Sequence, residues 1–298
     1  MLRLALRSLA AWITFTALFL PSAQAQKPVS VFVSIAPQQY IVKKIGGNRV
    51  TISAMVEPGA NPAVYEPRPA QLTGLAGADM YVAVGVPFER TWLKRFSAIN
   101  PGMLIIFTDA DINKKAMVSH RHEDTQPLIE ADLKDPHIWL SPPLVMLQSR
   151  IILNGLLRVD PGSSRLYRDN YRQWMLELIE LDDKLITLFQ GIGNRTRFMV
   201  FHPAWGYFAR AYGLNQIPVE IEGKEPKISQ LHDFIQLAKQ YGLTVIFAQP
   251  QFSSKNAQVI ANGINGKVDF IDPLSPDWKE NLLRVAEKIK TSLSGPVK

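Results

Sequence analysis

The chain has 298 residues, an apolar fraction of 47%, a net charge of +7 and no cysteine. That much apolar chain can fill the cores of about two domains, and the missing cysteine excludes disulfides, thiolate metal sites, a cysteine nucleophile and a lipid-bearing cysteine anchor. Lysines and arginines are scattered along the sequence rather than clustered, so the positive charge reads as an ordinary solvated surface, with no nucleic-acid partner expected.

Residues 1–25 have the layout of an export signal. Arg3 and Arg7 supply a positive start, Leu9 to Leu20 is uncharged and apolar, and Ala23-Gln24-Ala25 offers the small residues a signal peptidase reads. Cleavage after Ala25 is expected, because the apolar run is shorter than the ~20 residues of a bilayer span. The predicted location is therefore the periplasm, as a protein free of a lipid tether.

The next segment, 26–141, alternates strand and helix. Val29 to Ile35 is a β-branched run, followed by a helix to Ile45 and a turn at Gly46-Gly47-Asn48. A strand over Val50 to Val56 stops at Pro58-Gly59. Helix over Ala70 to Ala76, strand over Met80 to Val84, helix over Phe88 to Phe96 and strand over Met103 to Phe107 complete the unit. This order predicts a largely parallel sheet with helices on both faces.

A linker over 142–192 is dominated by one helix, since Ser163 to Gln190 contains neither glycine nor proline and Asp160-Pro161 gives a start signal. Tyr167, Tyr171, Trp174, Leu178, Leu181, Leu185 and Leu188 form its apolar stripe. With globular sequence on both sides, the stripe is expected to pack along the chain's own domains as a spine rather than to form a coiled coil with a second chain.

The last segment, 193–298, repeats the α/β logic. Strands are predicted at Arg197 to Phe201, Ile217 to Ile221, Val245 to Ala248 and Val268 to Ile271, the second at a sheet edge because of Pro218. Helices are predicted at Trp205 to Tyr212, Ile228 to Tyr241, Ser254 to Gly263 and Trp278 to Leu293, with Gly213 and Gly242 ending the first two. The fold class is thus α/β: two lobes with mainly parallel sheets joined by one long rigid helix.

Ligands of open parallel sheets bind outside the carboxyl ends of the strands. His202 directly follows one strand and Asp272 another, while Ala63 and Glu66 occupy the loop after Val50 to Val56. His137 opens Ile138-Trp139-Leu140 near the spine. Imidazole and carboxylate donors together suit borderline first-row metals, zinc above all. His232 falls on a predicted helix and reads as a surface residue. Trp205 and Tyr207 read as packing at the core and the lobe interface.

Four segments carry a family resemblance: Gly59-Ala60-Asn61-Pro62-Ala63-Val64-Tyr65-Glu66-Pro67-Arg68-Pro69, Asp135-Pro136-His137-Ile138-Trp139-Leu140, Phe201-His202-Pro203-Ala204-Trp205-Gly206-Tyr207-Phe208-Ala209, and Gln249-Pro250-Gln251-Phe252-Ser253 leading to Ile271-Asp272-Pro273-Leu274. The chain resembles the zinc/manganese solute receptors of ABC importers, typified by periplasmic zinc-binding proteins. The resemblance implies metal ligands at His137, His202 and Asp272, and an inner-membrane ABC permease as partner. It also implies a non-enzymatic role in a family that includes adhesion-like members. The family's remaining histidine falls on Ala63, whose methyl group cannot coordinate. Ser141 stands where the family's second motif has aspartate.

Three outcomes follow. The metal binds through His137, His202 and Asp272 with water in the fourth position. Or a substitute closes the site, from Glu66, or from His120 or His122 in the polar stretch Ser119 to Asp124. Or the site is degenerate and takes another ligand. Two imidazoles with one carboxylate favour zinc over manganese, which prefers more oxygen donors. A zinc hydrolase is the competing class: the same donors could activate water, with Glu66 as general base. Against it, the sequence contains no His-Glu-x-x-His helix.

Overall fold

The computed structural model describes residues 27–117, 134–220 and 225–294. The expected export signal, His120 and His122 lie outside them.

Two four-stranded parallel sheets form the framework. In the first, β1 (Val29–Val33), β2 (Val50–Ala54), β3 (Met80–Ala83) and β4 (Leu104–Phe107) take the order β2-β1-β3-β4. Helices α1 (Ala36–Gly46), α2 (Pro69–Leu75) and α3 (Pro87–Ile99) make the crossovers. β3 is buried at all four positions, as a central strand covered on both faces must be. The second sheet repeats the pattern with β5 (Arg197–Val200), β6 (Asn215–Pro218), β7 (Val245–Ala248) and β8 (Lys267–Phe270), ordered β6-β5-β7-β8. Pro218 therefore does lie on an edge strand. Helices α6 (Gly206–Ala211), α7 (Ile228–Gln240), α8 (Lys255–Gly263) and α9 (Trp278–Leu293) belong to this unit. Gly213 and Gly242 take φ of +68° and +63° just past α6 and α7, a conformation that glycine reaches without a Cβ clash.

Over 142–192 the sequence predicts a single long helix; two are present. They are α4 (Pro142–Val159) and α5 (Ser164–Phe189), joined by a short 3-10 turn, Pro161–Ser163, and packed on each other. Gly155 lies within α4, where a Cβ would lie 2.8 Å from Met80 Sδ and 3.1 Å from Ile106 Cδ1. The glycine is what lets α4 press onto the first sheet.

The 26 residues of α5 span ~39 Å at ~1.5 Å per residue. Its stripe packs as expected: Tyr167, Trp174, Leu178, Leu181 and Leu185 are buried, and α5 touches α1, α4 and α9. Each such buried side chain contributes roughly 1.5–3 kcal/mol of apolar transfer. Polar pins reinforce the spine. Glu177 pairs with Lys44 of α1 at 2.7 Å and Lys279 of α9 at 3.6 Å, and Tyr212 donates to Asp182 at 2.8 Å. Among the described residues no helix is long and apolar enough to cross a membrane.

Candidate metal centre

His137 is positioned by its own segment. Its backbone N–H donates to Asp135 Oδ1 at 3.0 Å, and its ring Nδ1 meets the same oxygen at 2.7 Å. An ionised carboxylate only accepts, so Nδ1 carries the proton and Nε2 is left with its lone pair. Both residues are buried. Burial lowers the His137 pKa, against an opposing pull from the Asp135 carboxylate.

His202 sits just past β5, where its backbone is clamped in both directions by the Gln249 amide, each bond 3.0 Å long. Its Nδ1 meets Glu220 Oε2 at 2.5 Å, which sets the same tautomer. Phe252 stacks on the ring with centroids 4.6 Å apart.

The two rings face each other with Nε2 to Nε2 at 3.2 Å. Both Nδ1 atoms face carboxylate acceptors, so the two Nε2 atoms converge as acceptors that only a shared proton or a cation can bridge. A cation between them relieves that opposition. With zinc–nitrogen bonds of ~2.0–2.1 Å and tetrahedral angles, two ligating nitrogens stand about 3.3 Å apart. The observed spacing matches.

Asp135 and Glu220 were not singled out in the sequence. Asp135 had a signal, two residues ahead of His137 in the same motif. Glu220 had only its place shortly after an edge strand. Carboxylates that hold the far nitrogen of a ligating histidine fix its tautomer and raise its donor strength.

The other predicted residues stand apart from the pair. Asp272 follows β8, with Oδ1 accepting from Gln251 Nε2 at 2.7 Å and from the Leu274 N–H at 2.9 Å. Among the described residues, no three His, Asp or Glu side chains are grouped so as to hold a metal ion. The structure thus brings His137 and His202 together and leaves Asp272 on the neighbouring rim. The segments are nevertheless tied, since Trp139 Nε1 donates to Pro273 O at 2.8 Å. Ala63 and Glu66 are exposed. Their loop is held by Asn61, which accepts from the Ala63 N–H at 2.8 Å, and by Tyr65 against Phe88. His232 is exposed on α7, as expected.

Residues 31–292 match the model of a family described as zinc-uptake complex component A, periplasmic (ZnuA). The chain belongs to this family. It is 25% identical over 256 residues to the high-affinity zinc uptake system protein ZnuA of Bacillus subtilis (strain 168), covering 84% of this chain and 80% of that protein. A crystal structure of ZnuA superposes with a TM-score of 0.84 at 40% identity, covering 90% of this chain and all of that one. A laminin-binding protein of Streptococcus agalactiae, described as bifunctional with adhesin and metal-transporting activity, shares the fold at a TM-score of 0.77 and 21% identity, over 89% of this chain and all of its own. The protein is thus a member of the metal-binding solute receptors of ABC importers, a family of receptors rather than enzymes.

Proposed function

We propose that the protein captures a divalent metal ion, zinc first, between its two lobes in the periplasm and passes it to an inner-membrane ABC permease. His137 and His202 are the nitrogen ligands. Asp272 is the third protein donor, exchanging its hydrogen bond with Gln251 for the metal, and water takes the position that Ala63 cannot fill. One observation carries this reading: two imidazoles from different parts of the chain, each locked by a carboxylate, aim their lone pairs at one point. Zinc precedes manganese because imidazole donors rank it higher and manganese favours oxygen.

The test is zinc titration of chelator-stripped protein by calorimetry, with wild type beside His202→Ala and His137→Ala. Wild type is expected to bind one zinc ion, more weakly at about pH 5.5 than at about pH 7.5, because protons compete for the imidazoles. Either variant retaining wild-type affinity refutes the site.

A further inference from the structure

Lys115 and Asp135 face each other beside an isolated antiparallel bridge, Ala116 to Lys134. In an antiparallel ladder, such a pair exchanges two backbone hydrogen bonds. Here one is direct, from Asp135 N to Lys115 O at 2.8 Å. The other is interrupted. Lys115 N donates to the Tyr207 hydroxyl at 3.0 Å, and that hydroxyl donates to Asp135 O at 3.1 Å. A side chain from α6, in the lobe of His202, is thus inserted into a ladder that belongs to the segment of His137.

The residue before it also lies close to Asp135. A Cβ on Gly206 would lie 3.0 Å from Asp135 Oδ2, tighter than a comfortable carbon–oxygen approach. Gly206 therefore leaves the carboxylate room to turn its other oxygen onto the His137 ring. Sequence reading had treated Tyr207 as packing. Its hydroxyl has a more specific task.

We propose that Tyr207 and Gly206 are positioning residues for metal capture: across the lobe boundary they hold Asp135, and through it the His137 ring, at the place where His202 points. This rests on the metal-capture reading above and adds to it a coupling between the lobes. Without the hydroxyl, Lys115 N and Asp135 O lose their shared partner and the ladder closes directly, drawing Asp135 away from the position that orients His137. An added methyl at Gly206 displaces the carboxylate from the other side.

The experiment compares wild type, Tyr207→Phe and Gly206→Ala by zinc competition titration and by the visible spectrum of the cobalt(II) form, which reports ligand geometry. Melting of the metal-free proteins runs in parallel. Both variants are expected to lose about 10–100-fold in zinc affinity, the range for removing a partner that orients a ligand. Their cobalt bands are expected to shift, while metal-free melting stays near wild type. Zinc affinity within twofold of wild type in both variants, with superimposable cobalt spectra, overturns the proposal. Should Tyr207→Phe fail to fold, Gly206→Ala decides alone, since alanine is the better helix former at that position. A wild-type protein that binds no zinc overturns the capture reading, and this inference with it.

Discussion

Glu220 offers the sharpest test of the proposed metal centre, because under that proposal it would act on the metal only through His202. Glu220 is 6% exposed, and its carboxylate meets His202 Nδ1 at 2.5 Å. Replacing it with glutamine keeps an acceptor of similar shape but removes the charge that strengthens the imidazole as a donor. Replacing it with alanine also frees the ring to turn and to change tautomer, so that Nε2 no longer presents a lone pair to His137. Loss of such a partner costs 10–100-fold in metal affinity, or about 1.4–2.7 kcal/mol. Glu220→Gln is expected at the lower end and Glu220→Ala at the upper. Competition against a chromogenic chelator at neutral pH measures both, with thermal melting of the metal-free proteins as the control for folding. Both variants binding zinc within twofold of wild type would refute the idea that the carboxylate-locked tautomer creates the site.

The remaining predictions concern pH, packing and the missing ligand. Burial places the His137 pKa below its unfolded value, so between the two values the unfolded chain binds more protons and stability rises with pH. The contribution is fully present above about pH 6.5 and is lost as pH falls through the lowered folded pKa; denaturant melts of metal-free wild type across this range should show it, and His137→Ala should flatten it. Trp278 Nε1 donates to Trp139 O at 2.6 Å in the buried core; Trp278→Phe leaves that carbonyl unpaired and should cost at least about 1–3 kcal/mol in urea unfolding. Restoring a donor with Ala63→His should tighten zinc binding. Structural zinc sites gain about 10–16 kcal/mol from four donors, roughly 2.5–4 kcal/mol each, so the gain has a ceiling of about 1,000-fold, and unchanged affinity would show that this loop does not reach the metal.

The periodic parts of the fold were legible in the sequence, because burial on both faces leaves continuous apolar runs and the spine leaves a stripe of matching period. The helix over Trp278–Leu293 has the predicted bounds, and the spine differs by one residue at each end. What failed was α4, which the sequence reading left inside the linker and which the structure seats against the first sheet by way of Gly155. At the site, the histidines were visible, His202 at a strand end and His137 at the junction to the spine. Their orienting carboxylates were not, because a carboxylate's role depends on which ring it faces. Glu220 is 18 positions from His202 in the sequence, and no local pattern links them. The Tyr207 hydroxyl was illegible for the same reason, since it acts through backbone 72 positions away.

Under the proposed function, the way the lobes are fastened would constrain how a captured metal leaves. His137 is 5.1 Å, ring to ring, from Trp139, whose carbonyl accepts from Trp278. Trp278 packs on Trp174 of the spine at 5.7 Å, and Tyr40 of the first lobe packs on both. Glu177 ties α1 and α9 to the same stretch of spine. A wide hinge rotation would tear this buried aromatic cluster and strand its indole hydrogen bonds, each a cost of about 1–3 kcal/mol before any lost packing. The Asp272 side chain is less constrained: its Oδ1 is held by Gln251 and one backbone N–H, groups that can exchange partners without moving a helix, while its backbone stays tied to Asn281 of α9 at 2.6 Å. Release should therefore proceed by changes in the ligands at the β8 rim and at the Tyr207 contact, with the spine and its aromatic cluster left intact.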